Sequence, residues 1–130
     1  MTVFTLEVPL PTIGAAANGR ANRWGKAKEV GAYKSLVFHA AIARRLELGW
    51  KAPDRARICL AYCTKGRGSG DGRYRPTDWD NAVGAFKAGQ DALVLAGVHS
   101  GDDYKDLEGG SVTFDNKAGP HVRVTIERLS

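Results

Sequence analysis

From Trp79 to Gly97 the chain runs without proline and sets Ala82, Val83, Ala85, Phe86, Leu93 and Val94 around a helical circumference, with further alanines between them. That is more apolar surface than a helix resting on one core face needs, so burial on most sides is expected, and the rest of the chain must enclose it. The same stretch keeps Asp80, Lys87 and Asp91. At about 100° per residue their side chains fall within roughly 20° of one line. Unpaired buried charge is very costly, so a charged stripe on an enclosed helix requires partners, and a hard cation is one candidate. Thr77 or Asp78, just after Pro76, can cap the helix start, and the helix is expected to end around Gly97.

Seven of the fourteen carboxylates lie between Asp78 and Glu108, and the last part of this stretch brings Asp102 and Asp103 in a turn over Val98 to Lys105. Helix capping explains acids at a helix start, each contributing about 0.3 to 1 kcal/mol, but not Lys87, Asp91 or the later pair. Carboxylate oxygens favour magnesium or manganese over zinc. His39, His99 and His121 form no zinc pattern, and His99, in the acidic turn, is expected to be solvated. No serine or cysteine sits in a nucleophile motif, so water is the expected attacking group. Neither Asp71 nor Asp102 begins an EF-hand loop, which argues against a calcium module.

The net charge of +5 is unevenly divided: residues 1–75 carry fourteen basic and five acidic groups, and residues 76–130 carry five and nine. An acidic centre repels a polyanion, so basic segments around it are what a metal-dependent nuclease needs to hold DNA or RNA. A basic protein with scattered lysines is the plainer alternative. Arg20, Arg23 and Lys26 lie in a Gly- and Ala-rich stretch from Gly14 to Lys28, and Lys65, Arg67, Arg73 and Arg75 lie in a glycine-rich one. Both are candidate phosphate-contacting loops, or else ordinary connections. The second lacks the Gly-Lys-Ser/Thr ending of a P-loop, so no nucleotide cofactor is expected.

The remaining pattern is β-strand and helix. Phe4, Leu6 and Val8 alternate with polar neighbours until Pro9 and Pro11; Ile58, Leu60 and Tyr62 alternate over Arg57 to Thr64; Val112 and Phe114 suggest a third strand, and Val122, Val124 and Ile126 form a last one able to share a sheet with the first. A helix is expected from about Val30 to Leu48. The order β-α-β-α-β-β predicts an α+β fold, a small mixed sheet with two helices packed against it, in a single domain over 1–130. Cys59 and Cys63, four apart on a strand and so about 13 Å distant, cannot pair and are expected as buried thiols in a reducing cytoplasm. No basic leader and no window near the ~18 apolar residues of a membrane span are present, so a cytoplasmic location is expected.

In their order, Asp78-Trp79-Asp80-Asn81, Lys87, Asp91-Ala92-Leu93, Ala96-Gly97-Val98 and Asp102-Asp103 resemble the RusA-type Holliday-junction resolvases. The opening strand with Pro9 and Pro11, followed by Asn18, is similar as well, so the resemblance spans most of the chain. It departs at Ala82, where many relatives carry a leucine-like residue, and in a slightly longer turn before the acid pair. The resemblance implies a small homodimeric endodeoxyribonuclease that uses Mg²⁺ (or Mn²⁺) to resolve four-way DNA junctions in recombination, repair or phage DNA processing. Carried over by position, it implies Asp78, Asp80, Lys87 and Asp103 as catalytic, with Asp91 and Asp102 joining Asp78, Asp80 and Asp103 as candidate metal ligands. A non-catalytic, basic nucleic-acid-binding protein is the alternative, with Lys87 in a structural ion pair with Asp80 or Asp91.

Overall fold

A computed structural model describes residues 2–16, 23–66 and 71–129. Strands β1 (Val3–Val8), β2 (Ala56–Cys63), β3 (Leu107–Asp115) and β4 (His121–Arg128) form one sheet in the order β1-β4-β2-β3. Pairing of β4 with β1 and with β2 is antiparallel, whereas β2 and β3 run parallel. The two-residue alternation seen in the sequence is what builds the core. Register places Phe4, Ile126 and Ile58 in one row across the sheet, Leu6, Val124 and Leu60 in the next, and Val8, Val122 and Tyr62 in the third. All nine are buried. Intervening residues face the other side, where Glu7 meets Arg123 at 3.1 Å and Arg57 bridges Glu108 and Glu127 at 3.1 and 3.2 Å.

Helices α1 (Arg23–Leu48), α2 (Trp79–Ala85) and α3 (Lys87–Leu95) occupy the remaining segments. The fold is therefore α+β with a mixed sheet, as expected, with two adjustments. First, α1 starts seven residues before the expected Val30, because its opening segment has no apolar periodicity to announce a helix and its single Gly25 costs only about 1 kcal/mol. Second, the long helix after Pro76 is broken at Phe86.

The ends of α1 and α3 are built alike. Gly49, at φ 64°, and Gly97, at φ 76°, sit in the left-handed region just past each helix. Trp50 N–H returns to the Arg45 carbonyl and Gly49 N–H to Leu46; Val98 N–H returns to Leu93 and Gly97 N–H to Val94. The residues that follow the two glycines then meet, since Trp50 Nε1 donates to the Val98 carbonyl at 2.8 Å. This joins the two helix ends that lead into β2 and into the acidic turn. Cys59 and Cys63 are both free thiols, with only Cys63 buried. Among the described residues, no helix is long and apolar enough to cross a membrane.

Candidate functional site

Asp78 begins the site as a cap. Its backbone is extended, its Oδ1 accepts the Asn81 N–H at 2.9 Å, and its Oδ2 accepts Asn81 Nδ2 at 3.0 Å. Both carboxylate oxygens are thus engaged with Asn81, while Trp79 and Asp80 are exposed on the first turn of α2. The helix is anchored from below, where Tyr62 Oη donates to the Ala82 carbonyl at 2.6 Å. That carbonyl needs a side-chain donor because the Phe86 N–H, its regular helical partner, bonds to Gly84 instead. Burial drives the Tyr62 phenol far above its ordinary pKa, with the neighbouring Tyr74 adding to the rise, so the group remains a donor.

The break at Phe86 follows from packing. Its ring is fully buried and stands edge-on to Tyr33 at 6.5 Å. It also lies over Gly89, where an added Cβ would come within 2.5 Å of the ring. The straight line drawn through Asp80, Lys87 and Asp91 is interrupted at this point. Nor is the charged stripe enclosed: Ala82, Ala85, Ala88, Ala92 and Leu93 face the core, but Lys87 is 59% exposed and Asp91 36%. The apolar residues predicted to surround the helix include Val83, which is exposed, so burial is one-sided.

At the surface, α3 and the acidic turn do converge. Lys87 Nζ donates to Asp91 Oδ1 at 2.9 Å and to Asp102 Oδ2 at 3.3 Å, and Gln90 Nε2 donates to Asp102 Oδ1 at 3.1 Å. The Asp91 hydrogen bond, aided by Asp102, raises the Lys87 pKa despite partial burial. Burial pushes the Asp102 carboxyl upward, but hydrogen bonds from Gln90 and Lys87 and nearby positive charge together outweigh it and hold the group below its usual value. Gln90 was not anticipated from the sequence, although its place three residues after Lys87 puts it on the same side of the helix.

The turn itself is rigidly tied. Contrary to the expectation of a solvated side chain, His99 is 1% exposed. The Schellman turn at Gly97 directs Val98 and His99 inward, and Ser100 Oγ fastens the next residue to the Pro53 carbonyl at 2.9 Å. His99 Nδ1 lies 3.1 Å from the Gly101 carbonyl, which can only accept, so Nδ1 carries the proton. Burial lowers the His99 pKa, keeping the ring neutral. Asp103 points its bonding elsewhere: Oδ1 accepts the Lys105 N–H at 3.0 Å, and its carbonyl accepts the N–H groups of Asp106 and Leu107. Asp102 is thus the member of the acid pair that faces Lys87, and Asp103 closes the turn.

Among the described residues, no group of three or more His, Cys, Asp or Glu side chains is placed to hold a metal ion. The donor chemistry nonetheless fits a hard divalent cation. Two carboxylates, Asp91 and Asp102, already share one cation in the Lys87 ammonium, and magnesium is commonly held by one or two carboxylates with water and substrate phosphate completing its shell. A cleft of about 250 Å³ opens beside Asp102, lined by Trp79 and Val83 of α2, Gln90, Asp102, and Leu107, Gly109 and Gly110 of β3 among others. It spans the gap between the acid-bearing first turn of α2 and the acidic turn. Its β3 wall carries an irregularity, since Ile58 pairs with Gly109 but Leu60 with Val112, and an added Cβ at Gly110 would come within 2.5 Å of Cys59 Sγ.

The basic candidates divide by role. Arg73 Nη1 donates to the Leu10 carbonyl at 2.9 Å, and Arg75 is paired with Asp71, whose carboxyl it holds well below the usual range with help from the Arg73 N–H. Lys26 Nζ donates to the Ala16 carbonyl at 2.8 Å. Lys65 is exposed. Arg20, Arg67 and the Arg23 side chain lie outside the described residues. No protein-family model matches the chain, and no curated protein matches it either.

Proposed function

We propose that this protein is a structure-selective DNA endonuclease of the RusA type that uses Mg²⁺ or Mn²⁺ to resolve four-way junctions. The observation that carries the proposal is the meeting of Lys87 and Asp91 on α3 with Asp102, eleven residues beyond Asp91 in a separate turn, around one ammonium group. Carboxylates brought together from two segments, one of them with its pKa held down, suit a divalent ion and a phosphodiester better than they suit helix stability, because exposed ion pairs contribute little.

In this mechanism Asp91 and Asp102 would hold the ion, with exposed Asp80 a further carboxylate on the adjoining helix. A divalent ion bound there would activate a water and polarise the phosphoryl group. Asp102 remains ionised at neutral pH, oriented by Gln90. Lys87, partly exposed and charged, would exchange its carboxylate partners for a phosphoryl oxygen and stabilise the charge that develops on it. Asp78 would act through structure, setting the first turn of α2 and with it Asp80. Two such sites related by a two-fold axis in a homodimer would make paired cuts in a nearly symmetric junction.

The alternative of a non-catalytic nucleic-acid-binding protein draws on the engagement of Asp78 with Asn81, of Asp103 with its own turn, and of Lys87 with two acids. The test is cleavage of labelled four-way, flap and duplex DNA with Mg²⁺, with Mn²⁺ and with chelator. Metal-dependent, junction-preferring cuts that disappear in Asp80→Asn support the endonuclease. Salt-sensitive binding without cleavage under any metal supports the alternative.

A further inference from the structure

The cleft beside Asp102 has a shape that the carboxylates do not explain. Its walls are apolar, formed by Ile58, Leu60, Val83, Leu107 and Val112, and its polar groups, Gln90 and Asp102, belong to the acid site itself. Trp79, which also lines it, is 59% exposed and set between Asp78 and Asp80 in the sequence. An indole so exposed contributes little to the core, and its position at the start of α2 is fixed by the Asp78 cap and the Tyr62 anchor rather than by its own burial. The volume of about 250 Å³ lies below the roughly 300 to 1,000 Å³ of drug-sized sites, which suits one planar ring system and not a helix or a strand.

We infer that this cleft receives one unpaired nucleobase of branched DNA, stacked on the Trp79 indole beside the Asp102 carboxylate. The chemistry of the walls supports this occupant. Every base has a π-face that stacks on an aromatic side chain, and apolar surroundings favour it over water. With Gln90 Nε2 committed to Asp102, Gln90 Oε1 is the amide atom left to accept from a base amino group. A base inside a duplex is stacked and paired and cannot enter without being extruded at a cost of a few kcal/mol, whereas a base at a branch point is more easily released. The cleft therefore supplies a physical basis for preferring branched over duplex DNA. This inference rests on the proposed DNA-processing role of the same site, and deepens it by naming how the branch is sensed.

Two variants separate the base site from folding. Trp79→Ala removes an exposed ring from a helix start where alanine is well tolerated. Gly109→Leu fills the cleft from β3, where an added Cβ meets nothing within 4 Å. The measurement is the fluorescence of 2-aminopurine placed at the branch point of a four-way junction, bound by the protein in chelator so that no cleavage intervenes. Wild type is expected to quench the probe by stacking, both variants to lose the quenching, and Trp79→Tyr to regain it, with single-turnover cleavage in Mg²⁺ about tenfold slower in the two impaired variants. Equal quenching by wild type and Trp79→Ala overturns the base site while leaving the endonuclease reading intact if the wild type cleaves. Quenching through Trp79 in a protein that never cleaves supports the base site and overturns the endonuclease. Conversion of a dimer to a monomer by Trp79→Ala, with quenching unchanged, assigns the cleft to a second copy of the chain and overturns the inference.

Discussion

Lys87 joins two carboxylates that are eleven residues apart, and the energetics of that contact are modest. Its side chain is 59% exposed, so screening by water limits either ion pair to below about 1 kcal/mol. The sign with pH follows from Asp102, whose folded pKa is depressed: its contribution is fully present above the ordinary carboxylate value of about 3.9 and is lost as pH falls through the lowered one. Urea unfolding of Asp102→Asn should therefore show a deficit of up to about 1 kcal/mol at pH 7 that closes in strongly acidic buffer. A deficit that persists unchanged in acid would place the effect in packing and not in charge. Arg73 differs from Lys65 in that its side chain is bonded to the backbone of another segment. Because it holds the Leu10 carbonyl, Arg73→Ala should lower thermal stability as well as any DNA affinity, whereas Lys65→Ala, at an exposed position, should lower affinity alone. At this scale the sequence marked Asp91 and Asp102 as acids but could not assign them a common partner, since contacts across a turn depend on the path of residues 98–101. His99 shows the same limit: its polarity suggested solvent, while its burial comes from the turn that precedes it.

Elements were more legible than contacts. Strands with a polar outer face leave an alternating trace, so β1, β2 and β4 follow closely from Phe4, Ile58 and Val122 and their neighbours. Gly49 and Gly97 likewise punctuate α1 and α3 where helix-ending glycines are expected. What the pattern concealed was the break at Phe86, because no proline marks it, an isolated Gly84 is tolerated inside a helix, and the fit of the ring against Gly89 is visible only in the fold. Two substitutions probe this junction. Gly89→Ala replaces a poor helix former by the best one, yet should destabilise the fold by about 1 to 3 kcal/mol in chemical denaturation, since the new methyl group meets the buried Phe86 ring. Tyr62→Phe keeps the ring but leaves the Ala82 carbonyl without its donor, and should cost about 1 to 3 kcal/mol. A neutral result for Tyr62→Phe would mean that α2 is held by other contacts, and one for Gly89→Ala that the Phe86 ring moves aside for the new methyl group.

For the whole molecule, the sheet and helices bring a basic first part and an acidic second part into one small body of net charge +5. The proposed role predicts that binding to DNA weakens steeply with salt, and that removal of Lys65, a candidate phosphate contact, reduces the slope of log affinity against log salt by about 0.9. An unchanged slope in Lys65→Ala would remove that residue from the DNA-contacting surface. The α+β class was accessible from the order of elements, whereas the way α3 and the following turn pair at the molecular surface was not, because it depends on how the chain leaves the helix at Gly97 and returns to Asp102. That pairing is what the proposed chemistry requires, and Asp102 is its pivot. Single-turnover cleavage of a four-way junction in Mg²⁺, measured for wild type and Asp102→Asn at neutral pH, addresses it most directly: a loss of about 100-fold or more in the variant, with junction binding retained, is the predicted result, and equal cleavage rates would contradict it.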